Sequence, residues 1–168
     1  MAERTDAAGR CECGVTLVLN EEGVAGAHRE LRCRCGRRHD CEFREAGWTA
    51  VAHLEPERSV PLSGFSRDLR QAPDAERFRF SFPLRGDVPL PVHIVYSPSA
   101  KSAEVKSADL KVYRLENVES PAQARRFWVA WWRTRQRAPR SRGSSPLVPT
   151  RVGRLPPPVK RPGLAPAS

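Results

Sequence analysis

Cysteine is the residue type whose spacing most clearly indicates chemistry in this chain. Four of the five cysteines form two pairs of the form Cys-x-Cys-Gly, at Cys11 and Cys13 and at Cys33 and Cys35. Thiolates are soft ligands, and four of them can surround one ion tetrahedrally. The glycine after each pair suits a tight turn with positive φ, whose backbone amides can point at sulfur. All five cysteines fall between residues 11 and 41, which favours a shared metal over unrelated free thiols.

These four cysteines are therefore predicted to hold one structural Zn²⁺, with another metal or an iron–sulfur cluster as the alternative. A hairpin between the two pairs would bring them together. The arrangement resembles a zinc ribbon, although ribbon knuckles usually read Cys-x-x-Cys-Gly, with one more residue. The stretch from the second pair to the fifth cysteine is also similar to the small zinc-binding segment that follows some methyltransferase domains. The ribbon resemblance implies a small β module built around the metal.

The other potential ligands and bases do not form a second pattern. His39 and Cys41 follow the second pair closely, so either could replace one of the four ligands. A catalytic zinc needs an open coordination position and a nearby general base. His28, His53 and His93 are scattered, with no paired nucleophile, and the sequence contains no glycine-rich phosphate loop. We therefore predict a closed structural site, no catalytic residues, and a protein that is not an enzyme.

The sequence also indicates a cellular location. It contains no run of about 18 apolar residues, and its first residues lack the apolar segment of a secretory signal. These features predict an intracellular protein, cytoplasmic or associated with nucleic acid, and no membrane contact. In a reducing compartment, clustered cysteines bind metal more often than they form disulfides.

Positive charge is concentrated at the C-terminal end of the chain. Residues 1–60 hold 9 basic and 11 acidic side chains, and residues 61–120 hold 9 and 8. Residues 121–168 hold 11 basic side chains and no acidic one, so this segment accounts for the whole net charge of +10. Any strong attraction to phosphate is therefore expected from the last third of the chain.

Three segments follow from these patterns, and the predicted fold class is α+β. The cysteine-rich β module covers residues 9–54, a compact β-rich segment closed by one helix covers 60–137, and a basic, Pro/Arg-rich tail covers 138–168. The tail contains eight of the sixteen prolines and no aromatic residue, so it is predicted to be disordered. Strands are predicted at 15–19, 29–34, 47–54, 77–84, 91–97 and 109–118, and 56–73 is predicted to be loop.

The closing helix has a clear start and a clear apolar face. Ser120 suits an N-cap, and Pro121 suits the first helical position. The apolar face contains Ala124, Phe127, Trp128 and Trp131, and we expect its aromatic rings to pack on Phe78, Phe80 and Phe82. The opposite face contains Arg126, Arg133 and Arg137, and Trp132 lies at the edge between the two.

The best functional hypothesis combines the metal with the basic end of the chain. We predict a nonenzymatic zinc protein that associates with nucleic acid, mostly through phosphate, because one-sign charge attracts the backbone of DNA or RNA. The candidate contact residues are Arg133, Arg135, Arg137, Arg140 and Arg142. The alternative is a protein-interaction adaptor, in which a Pro-rich tail and a near-neutral body bind protein partners.

Overall fold

The computed structural model describes residues 7–58, 63–107, 111–137 and 153–154. The described chain is mostly β, with one long C-terminal helix. In chain order its elements are β1 (Ala7–Arg10), β2 (Thr16–Val18), β3 (His28–Arg32), β4 (Arg38–Arg44), β5 (Gly47–Pro56), α1 (Arg67–Gln71), β6 (Glu76–Arg85), β7 (Val88–Ser97), β8 (Ser102–Lys106), β9 (Val112–Glu116), α2 (Pro121–Arg137) and β10 (Gly153–Arg154).

Strands β3 to β9 form a single antiparallel meander, in which each strand pairs with the next one along the chain. The two-residue β10 adds to this sheet by pairing in parallel with β9. Gly153 and Arg154 are the part of the predicted tail that the structure describes. The predicted disorder of the rest of 138–168 lies outside the described residues.

Strand β5 connects the cysteine-rich end of the chain to the rest of the sheet. It pairs with β4 from Gly47 to Leu54 and with β6 at Glu55 and Pro56. Strands β1 and β2 form a separate hairpin beside this sheet, close enough that a side-chain carbon at Gly9 would lie 3.4 Å from Cβ of Ala50. The predicted module and the predicted β-rich segment therefore share one continuous sheet.

The main core lies between α2 and the sheet. Phe78, Phe80 and Phe82 are buried on one face of β6, as the period-two pattern predicts. Trp128 is fully buried, and its ring meets those of Phe80 and Phe82 edge to face, with centroid distances of 5.8 and 5.4 Å. Phe127 and Trp131, with Trp132, are partly buried against the same cluster. The predicted packing of the aromatic helix on β6 is confirmed for Trp128, whereas the ring of Trp131 lies 4.6 Å from that of Tyr113 on β9.

The opposite face of the sheet is covered by α1 and the segment before it, where the sequence predicted only loop. Phe65 and Leu69 pack on Val95, which points away from α2. Strand β8 is buried throughout because α2 lies on one side and this segment lies on the other. Two of its charged side chains have partners there: Glu104 accepts a hydrogen bond from the Ser66 N–H at 2.6 Å, and Lys106 Nζ donates to Ser63 O at 2.7 Å.

The N-terminus of α2 is capped and docked. Ser120 Oγ accepts a hydrogen bond from the Gln123 N–H at 3.0 Å, as the predicted N-cap requires. A Glu30 carboxylate oxygen from β3 accepts from the Ala122 N–H at 2.9 Å. Arg126, expected on the solvent face, instead donates to Asp40 of β4 at 2.9 Å. The helix is therefore fixed to the cysteine-rich half of the sheet by two carboxylates.

Replacing Trp128 with alanine should lower the free energy of unfolding by about 3–5 kcal/mol, because a fully buried indole leaves a cavity that the sheet cannot close. Chemical denaturation measures this loss. Trp132→Ala is the matched control, since Trp132 is only partly buried, and its loss should be smaller. A loss below about 1 kcal/mol at Trp128 would contradict the packing described above.

Candidate metal centre

Each cysteine pair lies at the tip of its own hairpin, one formed by β1 and β2 and the other by β3 and β4. The two tips have the same hydrogen bonds. The Cys11 N–H donates to Val15 O at 2.8 Å, and Cys11 O accepts from the Gly14 N–H at 2.8 Å. At Cys33 the corresponding partners are Arg37 O and the Gly36 N–H, both at 2.9 Å. The sequence expectation of a hairpin between the pairs is corrected: two separate hairpins bring the pairs together.

The glycines explain why both tips take this form. Gly14 and Gly36 each have φ of +94°, a conformation that strains residues with a Cβ atom. A side-chain carbon at Gly36 would also lie 3.1 Å from Cγ of Pro56, so this turn packs closely on the end of β5. The predicted positive φ after each pair is confirmed.

The four thiols converge between the two tips. Sγ of Cys11 lies 3.6 Å from Sγ of Cys35, and Sγ of Cys13 lies 3.4 Å from Sγ of Cys33. All four sulfur atoms lie within 4.8 Å of one another. In a tetrahedral site with Zn–S bonds of about 2.3 Å, sulfur atoms are about 3.8 Å apart. The four cysteines thus form a possible metal-binding site with nearly the spacing that one tetrahedral ion requires.

The electrostatics of the cluster also favour a cation. The backbone N–H of Arg37 and its guanidinium, 3.6 Å from Sγ, lower the pKa of Cys35 to about 6. Although the Cys35 N–H lowers the pKa of Cys33, burial and the neighbouring thiols outweigh it and raise that pKa to about 12. Burial likewise raises the pKa of Cys11. Thiols this close cannot all ionise unless a cation replaces their protons, and a divalent metal does so.

The two alternative ligands lie outside this cluster. Cys41 is fully buried on β4, and burial together with nearby Asp40 raises its pKa to about 11. His39 is also buried on β4, and its Nε2 has no hydrogen-bond partner among the described residues. Neither belongs to the group of four whose ligand atoms lie within 4.8 Å of one another.

A charged network that the sequence did not reveal surrounds the exposed side of the centre. Arg37 lies 3.3 Å from Glu12 and 3.7 Å from Glu55, and Arg79 lies 2.9 Å from Glu55. Ligand atoms of Glu12, His53 and Glu55 also lie within 4.8 Å of one another. Because both carboxylates already have arginine partners, this group serves as an ion-pair network. Its residues are dispersed in the sequence: Glu12 comes from the first cysteine tip, and Glu55 and Arg79 face each other where β5 pairs with β6.

The structure places part of the predicted nucleic-acid contact set. Arg133 and Arg135 are exposed on α2. The Arg135 guanidinium lies 5.4 Å from the ring centre of Trp131, and that of Arg133 lies 6.0 Å from the ring centre of Phe82. The side chain of Arg137, and Arg140 and Arg142 entirely, lie outside the described residues.

Comparison with protein-family models, with curated proteins and with solved structures finds no match to this chain. Among the helices that the structure describes, none is long and apolar enough to cross a membrane.

Zinc content tests the centre directly. The chain purified without chelator should contain about one Zn²⁺, as four thiolate ligands predict. Cys33→Ser should release the metal and unfold the two hairpins, because metal binding and folding are coupled in small metal sites. Elemental analysis and circular dichroism measure the two effects. A metal-free protein whose melting profile matches that of the metal-loaded form would contradict a structural metal.

Ligands can be separated from neighbours by substitution. Cys41→Ser and His39→Ala should keep a full complement of zinc, because neither side chain reaches the four-thiol cluster. Cys41→Ser should still lower stability, since its side chain is buried in the core between the hairpins. If either variant loses zinc while Cys11→Ser retains it, the ligand set is different and includes residues of β4.

Proposed function

We propose that this protein is a nonenzymatic zinc protein that associates with nucleic acid through α2 and the basic tail. The structural part of the proposal is a closed zinc site with a ribbon-like arrangement of two hairpin tips. The functional part depends mainly on one observation, the cationic and aromatic surface of α2. The zinc centre holds the hairpins on which the start of this helix docks.

The choice of zinc follows from the ligands. All four members of the cluster are thiols, which favour zinc or iron–sulfur chemistry over hard cations. Cys11 and Cys33 are buried, while Cys13 and Cys35 lie nearer to solvent. Four protein ligands leave no open position for a substrate, which supports a structural rather than a catalytic ion.

The surface of α2 supports an association with nucleic acid. The helix contains five arginines and no acidic residue. Arg133 and Arg135 are exposed, and neither forms an ion pair within the described part of the chain. Trp131 and Trp132 are only partly buried beside them. Free cations next to accessible aromatic rings are the combination that binds phosphates and stacks bases in proteins that bind single strands.

The histidines support a nonenzymatic role. His28 Nδ1 lies 3.0 Å from the buried Asp40, and His93 Nδ1 lies 2.6 Å from Glu57. The first pair joins the adjacent strands β3 and β4, and the second joins β7 to the residue after β5, across β6. A catalytic pair would instead place a base within reach of a nucleophile or a bound substrate.

Salt dependence tests the association. Full-length protein should bind DNA or RNA without strong sequence preference, and the logarithm of its affinity should fall steeply with the logarithm of salt concentration. Deleting 138–168 should flatten that slope. The deletion removes Arg140, Arg142, Arg151, Arg154, Lys160 and Arg161. Fluorescence anisotropy at several salt concentrations measures both slopes.

A matched control keeps the length of the chain. Replacing the same six cations with glutamine should flatten the slope as much as the deletion does, because charge rather than length carries the effect. If full-length protein binds neither DNA nor RNA at low ionic strength, the nucleic-acid proposal is wrong. Retention of a protein partner by the body alone, at moderate salt, would then favour the adaptor hypothesis.

A further inference from the structure

A cavity of about 430 Å³ lies between the first cysteine tip, strands β5 to β7, and α2. Its volume falls in the range of ordinary ligand sites. Its polar and charged lining comes from several elements, and consists of Glu12, His53, Glu55, Arg79, Ser81 and Arg125. Neither the zinc centre nor the core uses this space.

The acidic residues of the cavity already have partners. Glu55 pairs with Arg79 at 2.9 Å and with Arg37 at 3.7 Å. Glu12 pairs with Arg37 at 3.3 Å, and its other oxygen lies 3.9 Å from His53 Nε2. With neutral histidine, these groups sum to no net charge, because two arginines balance two glutamates.

Arg125 is the exception. Its guanidinium lies 5.2 Å from the ring centre of Phe80, half-buried at the cavity wall. No carboxylate of the described chain lies within ion-pair distance of it, whereas its neighbour Arg126 is paired with Asp40. Burial holds the pKa of Arg125 below its ordinary value, and nearby Arg133 and Arg126 add to this lowering while Asp40 opposes it, but a guanidinium stays charged in proteins. Arg125 is therefore the cation of the cavity lining that has no ion-pair partner within the described chain.

A monovalent oxyanion complements this site. A guanidinium binds two oxygens of a phosphate group at once, which a point charge cannot do with the same geometry. Ser81, exposed on β6 between Phe80 and Phe82, also lines the cavity and offers a hydroxyl donor. A phosphodiester carries one negative charge, so it matches the charge that Arg125 leaves unbalanced.

The surroundings favour a single strand over a duplex. Trp132 follows Arg125 by seven residues, or two helical turns and about 10 Å, so both lie on the same side of α2. The Trp132 ring stacks on Trp128 at 5.7 Å and is partly accessible. Arg133, next in the chain, lies over Phe82 as Arg125 lies over Phe80. A flexible strand can place a phosphate in the cavity and stack a base at Trp132, which paired bases cannot do.

We propose that the cavity binds one backbone phosphate of a single-stranded nucleic acid, with Arg125 as its main ligand, Ser81 as a hydrogen-bond donor and Trp132 as the stacking ring for a neighbouring base. This inference rests on the proposed association with nucleic acid. It adds an anchoring point on the folded body, distinct from the tail, and a preference for unpaired strands.

The test uses full-length, zinc-loaded protein and a short fluorescent oligothymidine, with a hairpin duplex for comparison. Arg125→Gln should weaken binding of the single strand about tenfold, the loss typical of a charge-assisted hydrogen bond. It should also reduce the logarithmic salt slope by about 0.7, the value for one lost phosphate contact on a single strand. Arg125→Lys should keep the slope while losing part of the affinity, because it retains charge but not the two-oxygen geometry.

Arg70→Gln is the matched control. Arg70 is exposed on α1, which covers the other face of the sheet, and its removal changes the net charge by the same amount. Its effect should stay within about twofold, since a distant exposed charge is screened by salt. Ser81→Asp provides a second variant that leaves the core intact, and its added negative charge should weaken binding at least as much as Arg125→Gln. Zinc content and melting temperature show whether each variant remains folded.

The outcomes separate the two proposals. If the wild-type chain binds the single strand and both Arg125→Gln and Ser81→Asp behave like Arg70→Gln, the cavity site is wrong and the proposed function stands. Equal losses for the single strand and the duplex would overturn the preference for unpaired strands. If the wild-type chain binds no nucleic acid at low salt, the proposed function fails, and the cavity site fails with it.

Discussion

The convergence of four thiols at two hairpin tips is the constraint on which the N-terminal part of the fold depends. Strand β1 has four residues and β2 has three, so neither could hold a register without further support. In the core beneath them, Leu17 and Trp48 are the large side chains that are buried, and Leu19, Leu31 and Phe43 are only partly buried. A metal ion that joins both tips would supply the missing stabilisation, because its binding free energy would become folding free energy.

Two carboxylates extend this dependence to α2. Asp40 is 3% exposed and is shared by His28 and Arg126, while Glu30 pairs with Arg38 and accepts from the first turn of the helix. A carboxylate this deeply buried is tolerable only when it is paired and hydrogen-bonded. The position of the helix is thus fixed by charge matching as well as by the aromatic core. A change in the conformation of the hairpin tips should therefore also shift α2 and its surface.

The sequence predicted those features that depend on local spacing. The alternating phenylalanines of β6, the cap at Ser120 and the turn glycines after the two cysteine pairs each follow from a short-range pattern, and the structure contains them. Strand β4 escaped prediction because its residues are mostly polar, and hydropathy assigns such residues to the surface. Arg38, at 9% exposure, and Asp40 are buried there through ion pairs with residues distant in the sequence. The prediction that Arg126 faces solvent was wrong for the same reason, because its side chain pairs with Asp40, which is distant in the sequence.

Adjacent arginines on α2 show why net charge by segment is an incomplete guide to binding. The first 120 residues contain 18 basic and 19 acidic side chains, which predicts a body without attraction for phosphate. Many of those acidic side chains, however, form ion pairs within the fold. Asp40 pairs with Arg126, and Glu55 pairs with Arg79. Rotation by about 100° per residue along a helix places Arg125 at the cavity instead of in the ion pair that Arg126 forms with Asp40, and the acids that line the cavity are already paired. Local pairing, rather than the sum of charges, therefore decides which cations of the folded body are free to bind an anion.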